Sequence, residues 1–327
     1  MRRRDFLGWA GALSATTFVG CRHEAEAKLA DLPTPDTFAP LPTRALGKTG
    51  EQIPILGLGT GPAGMGLPDA DAAALYHRAL DLGVKLLDTA PMYQRAQAQL
   101  RPVMHERRTE AFLTTKSLTS TASEFLAETE RNLKTMGVEQ VDLAYLHCVG
   151  ELDLDMVLSD KGSLAGLREA QRRGWTRYVG FTAHNRTATS IRMLKEAEFD
   201  VIMIPLNYVD RHTYGFESEV LPLAAEKGVG VLAMKVFGGA PRMNYKRPTK
   251  SSLAAHGNHD HGVALRYALN LPGVSGAVVG VFNFDELHQS RAWASEPTPL
   301  TADELADVDT RGAQMARVWR EHFGPRA

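Results

Sequence analysis

Residues 112–147 read FLTTKSLTSTASEFLAETERNLKTMGVEQVDLAYLH. An apolar run at 111–116 gives way to an amphipathic stretch at 121–136, then to Gly137 and a second apolar run at 141–147. Short apolar runs bounded by turn residues read as buried strands, and the 3.6-residue period between them reads as a helix. Gly137 stands where a helix wants a left-handed cap. The segment is therefore a strand–helix–strand unit, the element from which parallel sheets are built.

Working outward, the same alternation runs from about residue 40 to the end. Further apolar runs lie at 53–59, 84–88, 178–182, 201–205, 229–234 and 276–280, which makes eight in all. Helical patterns fall at 70–82, 97–105, 162–173, 187–197, 218–226, 261–271 and 284–294, and a last one at 302–322. Gly83, Gly174, Gly228 and Gly273 follow helices as Gly137 does. Eight strand–helix units predict a (β/α)8 TIM barrel over 43–327. A doubly wound open sheet is excluded by the strand count. It also needs G-x-G-x-x-G after the first strand, and Gly57-Leu58-Gly59-Thr60-Gly61-Pro62 has no matching third glycine.

The first residues have a different character. Arg3-Arg4-Asp5-Phe6-Leu7 fits the twin-arginine export pattern, and a weakly apolar stretch, 6–19, follows. Residues 1–27 are read as an export signal, 28–42 as a linker, and the twin-arginine translocation machinery as a partner. Ala25-Glu26-Ala27 offers a release site, whereas Phe18-Val19-Gly20-Cys21 resembles a lipobox that would anchor the chain through a lipidated Cys21. Either outcome places the mature protein in the periplasm or beyond.

Composition closes other doors. Of 327 residues, Lys and Arg number 37 and Asp and Glu 38, a net charge of −1 that gives nucleic acid no basic surface. No apolar stretch reaches the roughly 20 residues of a membrane helix. Two cysteines, Cys21 and Cys148, make neither a disulfide scaffold nor a CxxC metal site, and no metal is expected. The histidines at 256, 259 and 261 read as part of a solvated loop, which with Arg242 and Tyr245 is a candidate for substrate recognition.

Barrel enzymes work at the C-terminal ends of their strands. The second run ends at Asp88, with Tyr93 in the following loop; the third ends at Lys116 and the fourth at His147. A lysine closing an apolar strand needs an anion, which Asp88 can supply. A neighbouring lysine is expected to lower the Tyr93 pKa, readying it as general acid or base toward a carbonyl or alcohol. His147 is placed to hold the substrate oxygen.

With these residues in view, the chain resembles the aldo-keto reductases, over roughly 43–295. The resemblance runs through LGKTG (46–50), ILGLGT (55–60), GVKLLDTAPMY (83–93), FLTTKS (112–117), NLKTMGVEQVDLAYLH (132–147), GWTRYVGFT (174–182), GVGVLAMKVFGG (228–239) and VSGAVVGVFNFDEL (274–287). It implies a nicotinamide cofactor, NADP or NAD, and reversible reduction of an aldehyde, ketone or sugar. It also implies Asp88, Tyr93, Lys116 and His147 as a catalytic tetrad with Tyr93 as proton donor.

The cofactor side departs from the family pattern. Where relatives carry Ser, Asn and Gln for the carboxamide, this chain has Thr182, Ala183 and Met203; Met234 and Lys235 stand where an aromatic residue often stacks. Gly238 and Gly239 suit a pyrophosphate. After the eighth strand come Asn283, Gln289 and Ser290, but Glu286 occupies a position where relatives often carry arginine. Arg291 is the residue expected to compensate. The eroded clamp also motivates an alternative, a non-catalytic ligand-binding protein on the same scaffold.

Overall fold

The computed structural model describes residues 39–241, 244–245 and 249–326. The export signal, Cys21, most of the linker and Arg242 lie outside the described residues. A small hairpin comes first, β1 (Thr43–Ala45) against β2 (Gln52–Pro54). Eight parallel strands then close a barrel: β3 (Leu56–Gly59), β4 (Leu86–Asp88), β5 (Phe112–Ser117), β6 (Val141–Leu146), β7 (Thr176–Thr182), β8 (Val201–Pro205), β9 (Gly230–Met234) and β10 (Val274–Gly280). Each pairs with the next in sequence, and β10 returns to pair with β3. The expected (β/α)8 barrel is the observed fold.

One boundary differs. The apolar run 53–59 is two strands: Ile53 belongs to the hairpin, and the barrel strand begins at Leu56. The hairpin is the barrel floor. Leu46 and Ile53 pack with Leu86, Leu143, Val201 and Leu232 in the barrel interior, closing its N-terminal end. A far larger apolar cluster fills the space between the strands and the surrounding helices. With its floor sealed, the barrel is open for chemistry only at the other end.

Local chemistry fixes the units. The helix Ala122–Met136 starts with a reciprocal capping box, Thr121 with Glu124, and ends on Gly137 at φ 70. Such a cap contributes about 1 kcal/mol. Its Phe125, Leu133 and Met136 are buried in the large apolar cluster. In β7, Gly180 is required by its neighbours. A Cβ there would stand 2.2 Å from the Val201 carbonyl oxygen and 2.9 Å from the Tyr145 ring.

The helix near 218–226 opens with a π turn, Phe216–Val220, before Leu221–Glu226. The last helix, Ala302–Trp319, ends before the expected 322. The chain leaves it to fold back over the open end of the barrel. Tyr214 Oη donates to the Gly324 carbonyl (2.9 Å) and accepts from the Phe323 N–H (3.1 Å). Asn185 Nδ2 donates to the Phe323 carbonyl (2.8 Å), and His322 Nε2 lies 2.9 Å from Asp210 Oδ1.

Candidate active site

Asp88, the last residue of β4, is fixed by both carboxylate oxygens. Oδ1 accepts from Thr114 Oγ1 at 2.7 Å and Oδ2 from Lys116 Nζ at 2.6 Å. Lys116 points inward from β5 and is 2 % exposed; its ammonium also donates to the Thr89 carbonyl (3.0 Å) and reaches Tyr93 Oη at 3.4 Å. His147 follows β6, its backbone N–H donating to the Ser117 carbonyl (2.8 Å). Its ring meets that of Tyr93 edge-on, centroids 6.3 Å apart. The Tyr93 loop leaves no space beside it: a Cβ on Gly64 would stand 2.4 Å from the Tyr93 carbonyl oxygen. All four residues singled out at the strand ends thus meet, as their spacing implied.

The electrostatics correct one expectation. Burial raises the Tyr93 pKa well above 10, reinforced by the Asp88 carboxylate; the expected lowering by Lys116 does not prevail. The phenol therefore stays protonated, a proton donor in its resting form. Burial pulls Lys116 below its ordinary value, and Asp88 opposes that pull. Burial, with Lys116, His184 and Lys235 adding to it, drives the His147 pKa well below 6.5. His147 is therefore a neutral imidazole at physiological pH.

The residues read as cofactor-binding are dispersed. Thr182 ends β7, its hydroxyl accepting the Cys148 N–H at 2.9 Å. Met203 is 1 % exposed and packs in the barrel interior, and Met234 is buried beside it. Lys235 adopts φ 56 at the end of β9, its ammonium 2.6 Å from Tyr245 Oη. The charge of Lys235 acts on His147, Cys148 and His184, which places a cation at the mouth of the site.

Gly238 and Gly239 take φ 75 and 66, but an added Cβ on Gly238 would meet the Trp319 ring at 2.2 Å. That close approach belongs to the C-terminal helix. Asn283 caps the helix Phe284–Ser295 by accepting the Glu286 N–H (2.8 Å). Glu286 in turn accepts from the Phe282 N–H (2.7 Å) and Asn283 Nδ2 (3.0 Å). Gln289 is exposed and Ser290 buried on that helix. Arg291 does not compensate for Glu286. It is 4 % exposed and turned inward, donating to the Leu82 carbonyl (3.3 Å) and Ser295 Oγ (2.8 Å).

A dinucleotide fits this set in part. For a nicotinamide and pyrophosphate, the Thr182 hydroxyl beside Cys148 and the Lys235 cation, which acts on His147, would be available. The helix Phe284–Ser295, where the resemblance would put the adenosine ribose, has a capped N-terminus that carries a carboxylate, Glu286.

Reading the sequence missed Cys148, His184 and the C-terminal segment as parts of this end. His147, Cys148 and His184 place their three ligand atoms within 4.8 Å of one another. His184 lies two residues beyond Thr182, and following each strand end that far would have found it. The histidines of the 256–261 loop do not converge. His256 Nδ1 pairs with the Ser252 carbonyl at 2.8 Å, and His261 Nε2 with Ser251 Oγ at 2.8 Å. Among the described residues only His147, Cys148 and His184 form a potential ligand cluster.

Comparison with known proteins agrees with this geometry. Residues 55–311 match the model of the aldo/keto reductase family. Pyridoxal 4-dehydrogenase of Microbacterium luteolum is 24% identical over 325 residues, covering 78% of this chain and 94% of that protein. L-Galactose dehydrogenase of Arabidopsis thaliana is 24% identical over 300 residues, covering 81% and 92%. Among solved structures, the holo form of an aldo-keto reductase from Bacillus halodurans superposes with a TM-score of 0.67. It is 22% identical, covers 83% of this chain and 96% of that one, and shares the fold.

Proposed function

The chain belongs to the aldo/keto reductase family and is an NAD(P)-dependent oxidoreductase, and from that premise we propose that it interconverts a carbonyl and an alcohol with Tyr93 as the general acid–base. The observation that carries this reading is the buried Lys116–Asp88 pair, 2.6 Å long, with Tyr93 Oη 3.4 Å from the same ammonium. A nicotinamide bound beside these residues supplies or accepts the hydride.

In reduction, Tyr93 gives its phenolic proton to the carbonyl oxygen. Lys116 is held close by Asp88 and stabilises the negative charge that this leaves on the phenol oxygen. His147, as a neutral imidazole, donates an N–H to the same substrate oxygen and fixes its position. A positioned general acid contributes about 10²–10⁴-fold to rate. In oxidation Tyr93 must first lose its proton, so the alcohol direction calls on a minor form of the residue.

The substrate is proposed to be a small hydroxylated aldehyde or a sugar. Support comes from the relatives' names, which also include a D-threo-aldose 1-dehydrogenase from Pseudomonas, 27% identical over 236 residues. The cofactor is proposed to be NAD rather than NADP, because Glu286 stands where relatives often carry arginine and Arg291 is turned away. Residues 1–27 are proposed to export the folded protein to the periplasm, on the strength of Arg3-Arg4 and Phe6-Leu7; replacing both arginines with lysine should leave it in the cytoplasm.

The test is a panel of aldoses and simple aldehydes with NADH and NADPH, followed at the nicotinamide absorbance. Turnover of at least one class, lost in Tyr93→Phe, is expected. Silence across the panel with a cofactor shown to be bound would remove the reading.

A further inference from the structure

Strands β6 and β7 are neighbours in register, Leu146 opposite Phe181, so the residues just beyond their ends share one corner of the site. There the chain sets two imidazoles and one thiol with all ligand atoms within 4.8 Å. Neither imidazole has a hydrogen-bond partner among the described residues; their recorded contacts are ring contacts. Buried or half-buried histidines ordinarily find one. Cys148 adopts φ 51, a left-handed conformation rare for a residue with a side chain, and the Thr182 hydroxyl holds it there through the Cys148 N–H. Strain of this kind gathers at functional positions.

We propose that His147, Cys148 and His184 form a binding site for a thiophilic divalent cation of the Zn²⁺ class, and that occupancy closes the carbonyl site. Two nitrogens and one sulfur are the donors such an ion selects, and three protein ligands leave a fourth position for water. Bond lengths of about 2.0–2.3 Å put ideal donor–donor separations at roughly 3.3–3.6 Å. The present cluster therefore needs an inward movement of at most about 1 Å, which rotation of unpinned rings provides. Binding replaces the thiol proton by the metal and releases that proton to solvent.

Lys116 and Lys235 are near enough to act on Cys148 and repel a cation. Lys116, however, is already paired with Asp88, and the thiolate removes one charge of the ion. A metal here engages the His147 ring that otherwise orients substrate. The effect on turnover rests on the oxidoreductase reading above; metal binding itself does not.

The probe is Co²⁺ added to the full chain carrying no engineered histidines. One equivalent should bind with a sulfur-to-cobalt charge-transfer band, visible bands of tetrahedral strength and release of a proton. Zn²⁺ should displace it and inhibit turnover competitively with the carbonyl substrate. Cys148→Ala should lose the charge-transfer band, and His184→Ala should weaken binding tenfold or more while keeping it. Zn²⁺ should also slow alkylation of Cys148, read by peptide mapping that separates it from Cys21, a measurement that needs no variant. Absence of stoichiometric Co²⁺ binding by the folded wild type, no protection of Cys148, or a band that survives in Cys148→Ala would overturn the proposal. The cobalt spectrum needs no turnover, so a protein inert toward carbonyls and one that binds no metal give separate results.

Discussion

Replacing Asp88 by Asn keeps the shape of the side chain and its acceptor for Thr114, and removes only the charge that faces Lys116. The two side chains are 1 % and 4 % exposed and 2.6 Å apart. Breaking a buried pair from one side costs about 3–5 kcal/mol, because the remaining ion has no water and no counter-charge. Without Asp88, burial is left as the dominant influence on Lys116, opposed only by weaker contacts such as the Thr89 carbonyl, and the folded variant should hold that lysine neutral.

The sign of the pH dependence follows. The unfolded lysine keeps its proton up to about its ordinary value, 10.5. Between the lowered pKa of the folded variant and that value, the unfolded variant binds one more proton than the folded variant, so stability rises with pH across that window. The slope is at most about 1.4 kcal/mol per pH unit, which sets an upper bound of roughly 2.7 kcal/mol between pH 7 and 9. In the wild type the Asp88 carboxylate favours the proton on Lys116, and the same rise is confined to higher pH.

Urea denaturation at pH 7 and 9, followed by tryptophan fluorescence, measures both quantities. A second chain carrying Asp88→Asn and Lys116→Met together should recover most of the loss, since no uncompensated charge remains. A loss in Asp88→Asn below about 1 kcal/mol, or one that is equal at both pH values and not recovered in the double variant, would refute the reasoning.

Other consequences are independent of that pair. Carbonyl reduction should be flat from neutral to moderately alkaline pH because the Tyr93 phenol stays protonated, whereas alcohol oxidation should rise across the same range. Initial rates in both directions check this. Glu286→Gln keeps the helix cap but removes the carboxylate, and should lower KM for NADPH relative to NADH by about tenfold, or 1.4 kcal/mol. Gly238→Ala places a methyl 2.2 Å from the Trp319 ring at φ 75, and should cost about 2 kcal/mol or more in a urea titration.

Most of the barrel was legible because its signals are local. The segment 112–147 contains its own strand patterns, helical period and terminating glycine, and the same grammar repeats around the ring. The hairpin break at Ile55 was not legible, since 53–59 is apolar on both sides of it and periodicity alone does not show where a strand leaves the sheet.

That Asp88, Tyr93, Lys116 and His147 meet was legible from position, because parallel strands put their ends on one rim. The environment of those residues was not. Whether Lys116 or burial governs the Tyr93 proton depends on how much water surrounds the phenol, which is a property of the packed site. Arg291 beside Glu286 looked like compensation, yet the helix turns it toward Leu82. The C-terminal segment meets the site through contacts such as Asn185 to Phe323 and Tyr214 to Gly324, with over a hundred residues between partners. No pattern within a window reports such a contact.

The central claim is that Tyr93 delivers the proton while hydride arrives from nicotinamide. The direct measurement is transfer of deuterium from deuterated NADH to a carbonyl product, by mass spectrometry, in wild type and Tyr93→Phe, with cofactor binding followed separately by fluorescence. The expected result is a singly deuterated alcohol from the wild type, and a loss of about 10²-fold or more in Tyr93→Phe with cofactor binding intact. Undiminished deuterium transfer in Tyr93→Phe, or a wild-type product without deuterium, would contradict it.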